Sequence, residues 1–289
     1  MGKNRRVVST GKGGGGIVSR SSPFDSLPED CISNIISFTS PREACVVASV
    51  SKTSKSAAKS DIVWEKFLPR EYPSLIPPSR VFTSKMELYF ALCDDPVLID
   101  DGLKSFWLEK ASGKKCIMLS AMSLSVTWGD DPRYWLWDPS PGARFEKVLE
   151  LIDVCWFEIC GRVNTRALSP GTRYSAYVVF KKADHSYGFE GVAIEAGVGV
   201  VGQEASTRFI CFDAGAGGRE ASTRRRRRRR NIVKPEERGD GWMEIELGGF
   251  FSGGGVCDEI EMSALETKRL HWKSGLIILG IEIRPARIV

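Results

Sequence analysis

Apolar residues recur in two different rhythms along this 289-residue chain. Between residues 24 and 68 they return every three or four positions: Ile32, Ile35 and Ile36, then Ala44, Val47, Ala48 and Val50. That spacing lines one face of a helix. Leu27-Pro28-Glu29-Asp30 places proline early and carboxylates in the first turn, which suits a helix N-terminus. Ser40-Pro41-Arg42-Glu43 repeats the start signal, with Ser40 as the N-cap. A third short helix is predicted over 61–68, around Trp64. Pro69, Pro73, Pro77 and Pro78 make 69–83 read as an extended connector, and a further helix is predicted over 85–93. From about Leu103 the rhythm shortens. Residues 153–161, 173–181, 241–247 and 275–284 are β-branched and aromatic, and several alternate with period two, as strands do. Many short strands with Gly and Pro turns predict an antiparallel sandwich or barrel.

Composition changes this picture only locally. Hydrophobic residues make up 42% and charged residues 27%, the usual balance of a globular protein. No run approaches the eighteen apolar residues of a membrane helix. Residues 1–22 are rich in Gly, Ser and basic side chains, which predicts a disordered tail. They lack the apolar stretch of a secretory signal, and Arg6 stands where a myristoylation site needs Ser or Thr. Gly13 to Gly16 are followed by no Gly-Lys-Ser or Gly-Lys-Thr, so no phosphate loop is predicted. Eight scattered cysteines, with no Cys-x-x-Cys, are read as small buried hydrophobes. The two histidines, His185 and His271, have no metal-type ligands beside them, so no metal and no cofactor is predicted.

Positive charge is concentrated. Residues 219–238 hold ten Arg or Lys against three Glu, which leaves the rest of the chain slightly acidic although the net charge is +5. A mobile basic loop is predicted over 214–238. The run Arg224, Arg225, Arg226, Arg227, Arg228, Arg229 and Arg230 is a candidate nuclear localisation signal. It holds no aromatic residue to stack on bases, so it does not point to specific nucleic-acid binding.

Two ordered sets of motifs carry resemblances. Leu27-Pro28-Glu29-Asp30, Ile32, Ile35 and Ile36, Ser40-Pro41, Ala48-Ser49-Val50-Ser51-Lys52 and Asp61-Ile62-Val63-Trp64 together resemble an F-box, placed at 23–68 and followed by a connecting segment over 69–102. The resemblance implies docking on the Skp-type adaptor of a cullin–RING ubiquitin ligase, with Leu27, Pro28, Ile32, Ile35 and Trp64 as candidate contacts. A unit of about 45 residues has too little core to bury every apolar side chain, so a leftover face needs a partner.

Further along stand Phe106-Trp107-Leu108-Glu109-Lys110-Ala111, Leu124-Ser125-Val126-Thr127-Trp128-Gly129-Asp130 and Pro132-Arg133-Tyr134-Trp135-Leu136-Trp137. Asp240-Gly241-Trp242-Met243-Glu244-Ile245, Gly248-Gly249-Phe250-Phe251 and Trp272-Lys273-Ser274-Gly275-Leu276 follow. These resemble the phloem protein 2 family of plant lectins, related to the tobacco agglutinin, over 103–285. The implied fold class is α+β and multidomain: a small helical F-box, then a jelly-roll-like antiparallel β-sandwich. The implied ligand is an N-acetylglucosamine oligomer, an N-glycan core or a glycoprotein. The implied carbohydrate-binding residues are Trp128, Trp135, Glu259 and Glu266, expected to line one concavity.

The leading expectation is a non-enzymatic substrate-recognition subunit of an SCF-type ubiquitin ligase, cytoplasmic and nuclear, with no membrane partner. The alternative is a stress-related carbohydrate-binding lectin with a vestigial F-box. A sandwich hydrolase is the third reading, disfavoured by the scarcity of histidine.

Overall fold

The computed structural model of the protein describes residues 27–76, 79–140, 142–213, 232–254 and 257–287. Among the described residues six α-helices come first: α1 (Glu29–Ile36), α2 (Pro41–Val47), α3 (Lys52–Ala58), α4 (Asp61–Phe67), α5 (Tyr72–Leu75) and α6 (Lys85–Asp94). The start signals act as their chemistry dictates. Ser40 Oγ accepts from the Glu43 N–H at 3.3 Å, and the Glu43 carboxylate accepts from the Ser40 N–H at 2.8 Å. This capping box satisfies two donors that a helix start otherwise leaves orphaned. Helix α3 has no apolar periodicity beyond two alanines. It is started by Ser51, whose hydroxyl accepts from the Ser54 N–H at 3.1 Å.

The strands build two sheets. In the larger, β1 (Val97–Ile99), β2 (Lys104–Leu108), β3 (Lys115–Ser120), β15 (Ser274–Pro285), β8 (Thr172–Tyr187), β13 (Met243–Ser252) and β12 (Glu236–Glu237) follow in that spatial order. Beside them, β6 (Lys147–Leu151) pairs with β15, and β5 (Trp135–Pro139) with β6. The smaller sheet runs β11 (Ile232–Val233), β10 (Ser206–Ile210), β9 (Ile194–Val200), β14 (Glu259–Glu266), β7 (Phe157–Asn164), β4 (Ser125–Val126). Every pairing is antiparallel except β10 with β11. Phe157, Ile159, Phe180, Met262, Ala264 and Ile281 are among the fully buried side chains of the core. The architecture is an N-terminal helical unit followed by an antiparallel β-sandwich.

The two parts share one core. The Trp64 ring, 1% exposed, lies 5.0 Å from the ring of Tyr89 and 5.1 Å from that of Phe90. Tyr89 Oη reaches the carbonyls of Glu109 and Lys110, at 3.3 and 3.1 Å, in the turn between β2 and β3. The Arg42 N–H donates to the Ala111 carbonyl at 3.2 Å. Gly113 ends that turn at φ 70°, a conformation L side chains rarely adopt, and Phe67, Pro41 and Tyr89 close around it. Ion pairs of Lys115 with Glu71 and of Lys110 with Asp94 border the contact.

Several expectations are corrected. The stretch 69–83, read as an extended connector, carries the short helix α5, and β1 starts the strands before Leu103; the helix expected over 85–93 is α6, whose Leu88, Tyr89 and Leu92 are buried. Of the predicted basic loop, 232–238 contain the two short strands β11 and β12, whereas 214–231, with Arg224 to Arg230, lie outside the described residues. The predicted tail, 1–22, lies outside them as well. All eight cysteines are free thiols, but only Cys116 and Cys211 are buried. The six others lie on helix surfaces, in loops or at half-covered strand positions, so hydrophobic character alone does not place a small side chain inside.

Candidate functional site

The helical unit shows a set of apolar side chains that no other described residue covers. Along α1 and its flanks, Leu27 is 39%, Ile35 48% and Phe38 87% exposed, and Pro28 is exposed with them. Val46, in the last turn of α2, and Val50, just after that helix, are 59% and 73% exposed. Helical spacing separates the exposed residues of α1 from the inward ones. Ile32 and Ile36 are buried one face away. Of the five candidate adaptor contacts, Leu27, Pro28 and Ile35 stand on the surface. Ile32 and Trp64 do not. They hold the unit's own core, where Trp64 Nε1 donates to the Ala58 carbonyl at 2.7 Å. Phe38, Val46 and Val50, which were not among the five candidate contacts, are exposed as well.

At the opposite end of the sandwich, loops bring several aromatic residues to the surface. The helical unit sits where β15 ends, and these loops sit where it begins, roughly 35 Å apart along twelve residues of strand. Trp128, Trp156, Tyr187 and Trp272 are each between 39% and 52% exposed. Trp128 adopts φ 60°, which is strained for a bulky residue. Its ring packs at a tilt against that of Tyr134, with centroids 4.9 Å apart. Two buried or half-buried neighbours hold it there: Trp135 Nε1 donates to the Thr127 carbonyl at 3.1 Å, and Trp137 Nε1 to the Gly129 carbonyl at 3.0 Å.

Trp135 is 2% exposed, so it presents no open face to a ligand. Its place in the structure is behind Trp128. Thr127 Oγ1 donates to Glu158 Oε2 at 3.0 Å, and Trp156 Nε1 donates to the same oxygen at 2.9 Å.

The two glutamates separate. Both lie on β14, but seven residues apart, and an odd spacing on a strand puts side chains on opposite faces. Glu259 points outward, exposed, beside Asn164 at the end of β14 nearer the helices. About 20 Å of β7 separates it from the Glu158 position, so it cannot join Trp128 in one site. Glu266 points inward and is 4% exposed. Its Oε2 meets Lys273 Nζ at 2.6 Å, and its Oε1 accepts from the Arg269 N–H at 2.9 Å. Burial alone would raise its carboxyl. The Lys273 ammonium and the Arg269 and Lys268 N–H groups outweigh burial and hold it below its ordinary range. Lys273 is itself fully buried and also donates to the carbonyls of His271, at 2.6 Å, and Cys155, at 3.3 Å. The pair therefore pins the loop 267–273, which carries Trp272, to the strand entry beside Trp156. The expected single concavity of Trp128, Trp135, Glu259 and Glu266 is not formed. One of the four, Trp128, is an exposed ring at the aromatic end, two support that end from within, and one lies elsewhere. Among the described residues no cluster of three metal-type ligands occurs.

The chain thus joins a helical unit with exposed apolar side chains to a sandwich with an aromatic end. The chain belongs to the phloem protein 2 family: the Phloem protein 2 family model matches residues 114–285, and the F-box domain model matches 24–66. Both are non-catalytic families. F-box protein PP2-B10 of Arabidopsis thaliana is 67% identical to the chain over 291 residues, covering all of both chains. F-box protein SKIP3 of the same plant is 58% identical over 272 residues, 93% of this chain and 90% of that one. Among solved structures, TmCBM61 in complex with β-1,4-galactotriose aligns at TM-score 0.29 and 12% identity, over 56% of this chain and 87% of that one. The CBM22-1 xylan-binding domain of Paenibacillus barcinonensis Xyn10C aligns at TM-score 0.28 and 10% identity, over 59% of this chain and 90% of that one.

Proposed function

We propose that the protein is the substrate-recognition subunit of an SCF-type ubiquitin ligase. The F-box docks on a Skp-type adaptor through Leu27, Pro28, Ile35, Phe38, Val46 and Val50. The aromatic end of the sandwich binds a glycoprotein or another carbohydrate-bearing target. The observation that supports this reading most is the set of exposed apolar side chains on the helical unit. Phe38 and Val50 are 87% and 73% exposed on a unit whose own core is already complete, so their burial awaits a partner. The same exposed side chains weigh against a lectin with a vestigial F-box, which has no use for so many uncovered apolar residues on its helical unit. The core shared by the two parts suits the task, because it joins the docking end and the binding end in one folded unit.

Affinity capture from plant extract, with and without Phe38→Ser in the full chain, tests the docking. Adaptor and cullin subunits should co-purify with the unaltered chain and be lost with the variant. We further propose that Arg224 to Arg230 act as a nuclear import signal, giving nuclear and cytoplasmic pools. A fluorescent fusion lacking the run should lose its nuclear fraction. An unchanged distribution removes that role.

A further inference from the structure

Strand register sets a row of side chains across the outer face of the smaller sheet. Glu158 on β7 pairs with Leu265 on β14, Leu265 pairs with Glu195 on β9, and Glu195 pairs with Phe209 on β10. Their chain neighbours Phe157, Ile159, Ala264, Ile194, Ala196 and Ile210 are all buried, so the four point outward. The row therefore reads carboxylate, apolar, carboxylate, apolar over three strand spacings, about 14 Å.

Its first member is held in place before any ligand arrives. Thr127 and Trp156 both donate to Glu158 Oε2, and no donor among the described residues bonds Oε1. Beside this carboxylate stands the half-exposed indole of Trp156. Past Glu158 the row opens into a cavity of about 720 Å³, lined among others by Leu265, Glu195, Phe209 and Lys268. Lys268 pairs with Glu195 at 2.8 Å and is itself 82% exposed.

We propose that this row is the ligand track of the sandwich, and that its ligand is a neutral oligosaccharide of several rings laid across the strands. This rests on the reading that the sandwich binds a glycan. A sugar ring has an apolar C–H face and a rim of hydroxyl or amide donors. Trp156 and Phe209 cover faces, while Glu158 and Glu195, which only accept, take the donors. The Trp156 N–H is already given to Glu158, so its ring face is what remains for a ligand. Two carboxylates in the row repel anionic sugars. Each further ring meets a further member of the row, so affinity rises with ring number.

Calorimetric titration of the full chain with N-acetylglucosamine, its trimer and its hexamer tests the track. The trimer should bind more tightly than the monomer, and the hexamer more tightly again. Trp156→Ala should weaken trimer binding about tenfold, and Glu158→Gln, which keeps an acceptor for Thr127 and Trp156, about fivefold. Glu259→Gln should change nothing. In NMR spectra of the unaltered chain, the trimer should shift the Trp156 indole N–H signal and leave that of Trp64 in place. That spectrum holds whether or not a variant folds. If the unaltered chain binds no oligomer, the glycan reading and the track fall together. If it binds, but both variants titrate as the unaltered chain does and the Trp156 signal stays, the track alone is overturned.

Discussion

Trp135 Nε1 donates to the Thr127 carbonyl at 3.1 Å, so the more buried tryptophan fixes the backbone from which its exposed neighbour Trp128 projects. With Trp137 gripping the Gly129 carbonyl, the strained residue is held from both sides. The two tryptophans should thus fail differently. Trp135→Phe keeps an aromatic ring but leaves the carbonyl unpaired, and should cost about 1–3 kcal/mol of stability. Trp128→Ala loses one ring contact and should cost less than about 1.5 kcal/mol. Chemical denaturation of both variants checks the order.

The Glu266–Lys273 pair predicts a pH dependence with a definite sign. The folded carboxyl lies below its ordinary value of 4.5, so its stabilisation is complete above that pH and is lost as pH falls through the folded value. Glu266→Gln leaves Lys273 charged and unpaired in the interior and should cost about 3–5 kcal/mol at neutral pH. Melting temperature followed from pH 7 downward should fall less steeply in the variant below about pH 4.5, because the titrating group is gone. Adding Lys273→Met should restore much of the loss, since removing both partners leaves no buried charge.

The F-box residues divide in the same way. Trp64→Ala empties the centre of the helical unit and should cost about 3–5 kcal/mol. Phe38→Ser and Val50→Ser change exposed positions and should move the melting temperature little. Circular dichroism melts of the three variants separate the core from the docking face.

A core shared across the junction predicts a single unfolding event. Loss of helical signal and loss of near-ultraviolet aromatic signal should coincide. Tyr89→Phe removes the hydroxyl that bonds the Glu109 and Lys110 carbonyls and should lower stability by about 1 kcal/mol. Hydrogen exchange in α6 should then quicken, because its tie to the β2–β3 turn is gone.

Caps, helical spacing and strand alternation made most of the fold legible, because each is a local signal. Ser40 and Glu43 announced α2, and the alternation after Phe157 announced β7. Helix α3 was not legible, since Lys52 to Ala58 offer no apolar rhythm. The geometry of the expected site was legible only in part. Trp128, named by motif, is an exposed ring at the aromatic end. Motifs record which residues recur and not which way they point, so Trp135 and Glu266 were grouped with it although both are buried. The odd spacing of Glu259 and Glu266 already excluded a shared strand face, once both were known to lie on β14. Trp156 and Glu158 sit two apart in a stretch that reads simply as strand. Their joint role depends on a hydrogen bond to Thr127, thirty-one residues earlier, which no local pattern reveals.

The most direct test of the account is binding of a purified Skp-type adaptor to the full chain, measured by calorimetry for the unaltered protein and for Ile35→Ala/Phe38→Ser. The account predicts a tight complex for the first. It predicts a loss of at least about thirtyfold for the second, the 2 kcal/mol typical of a docking hot spot, with the melting temperature nearly unchanged. Equal adaptor affinity for both proteins, or no complex with the unaltered chain, would contradict it.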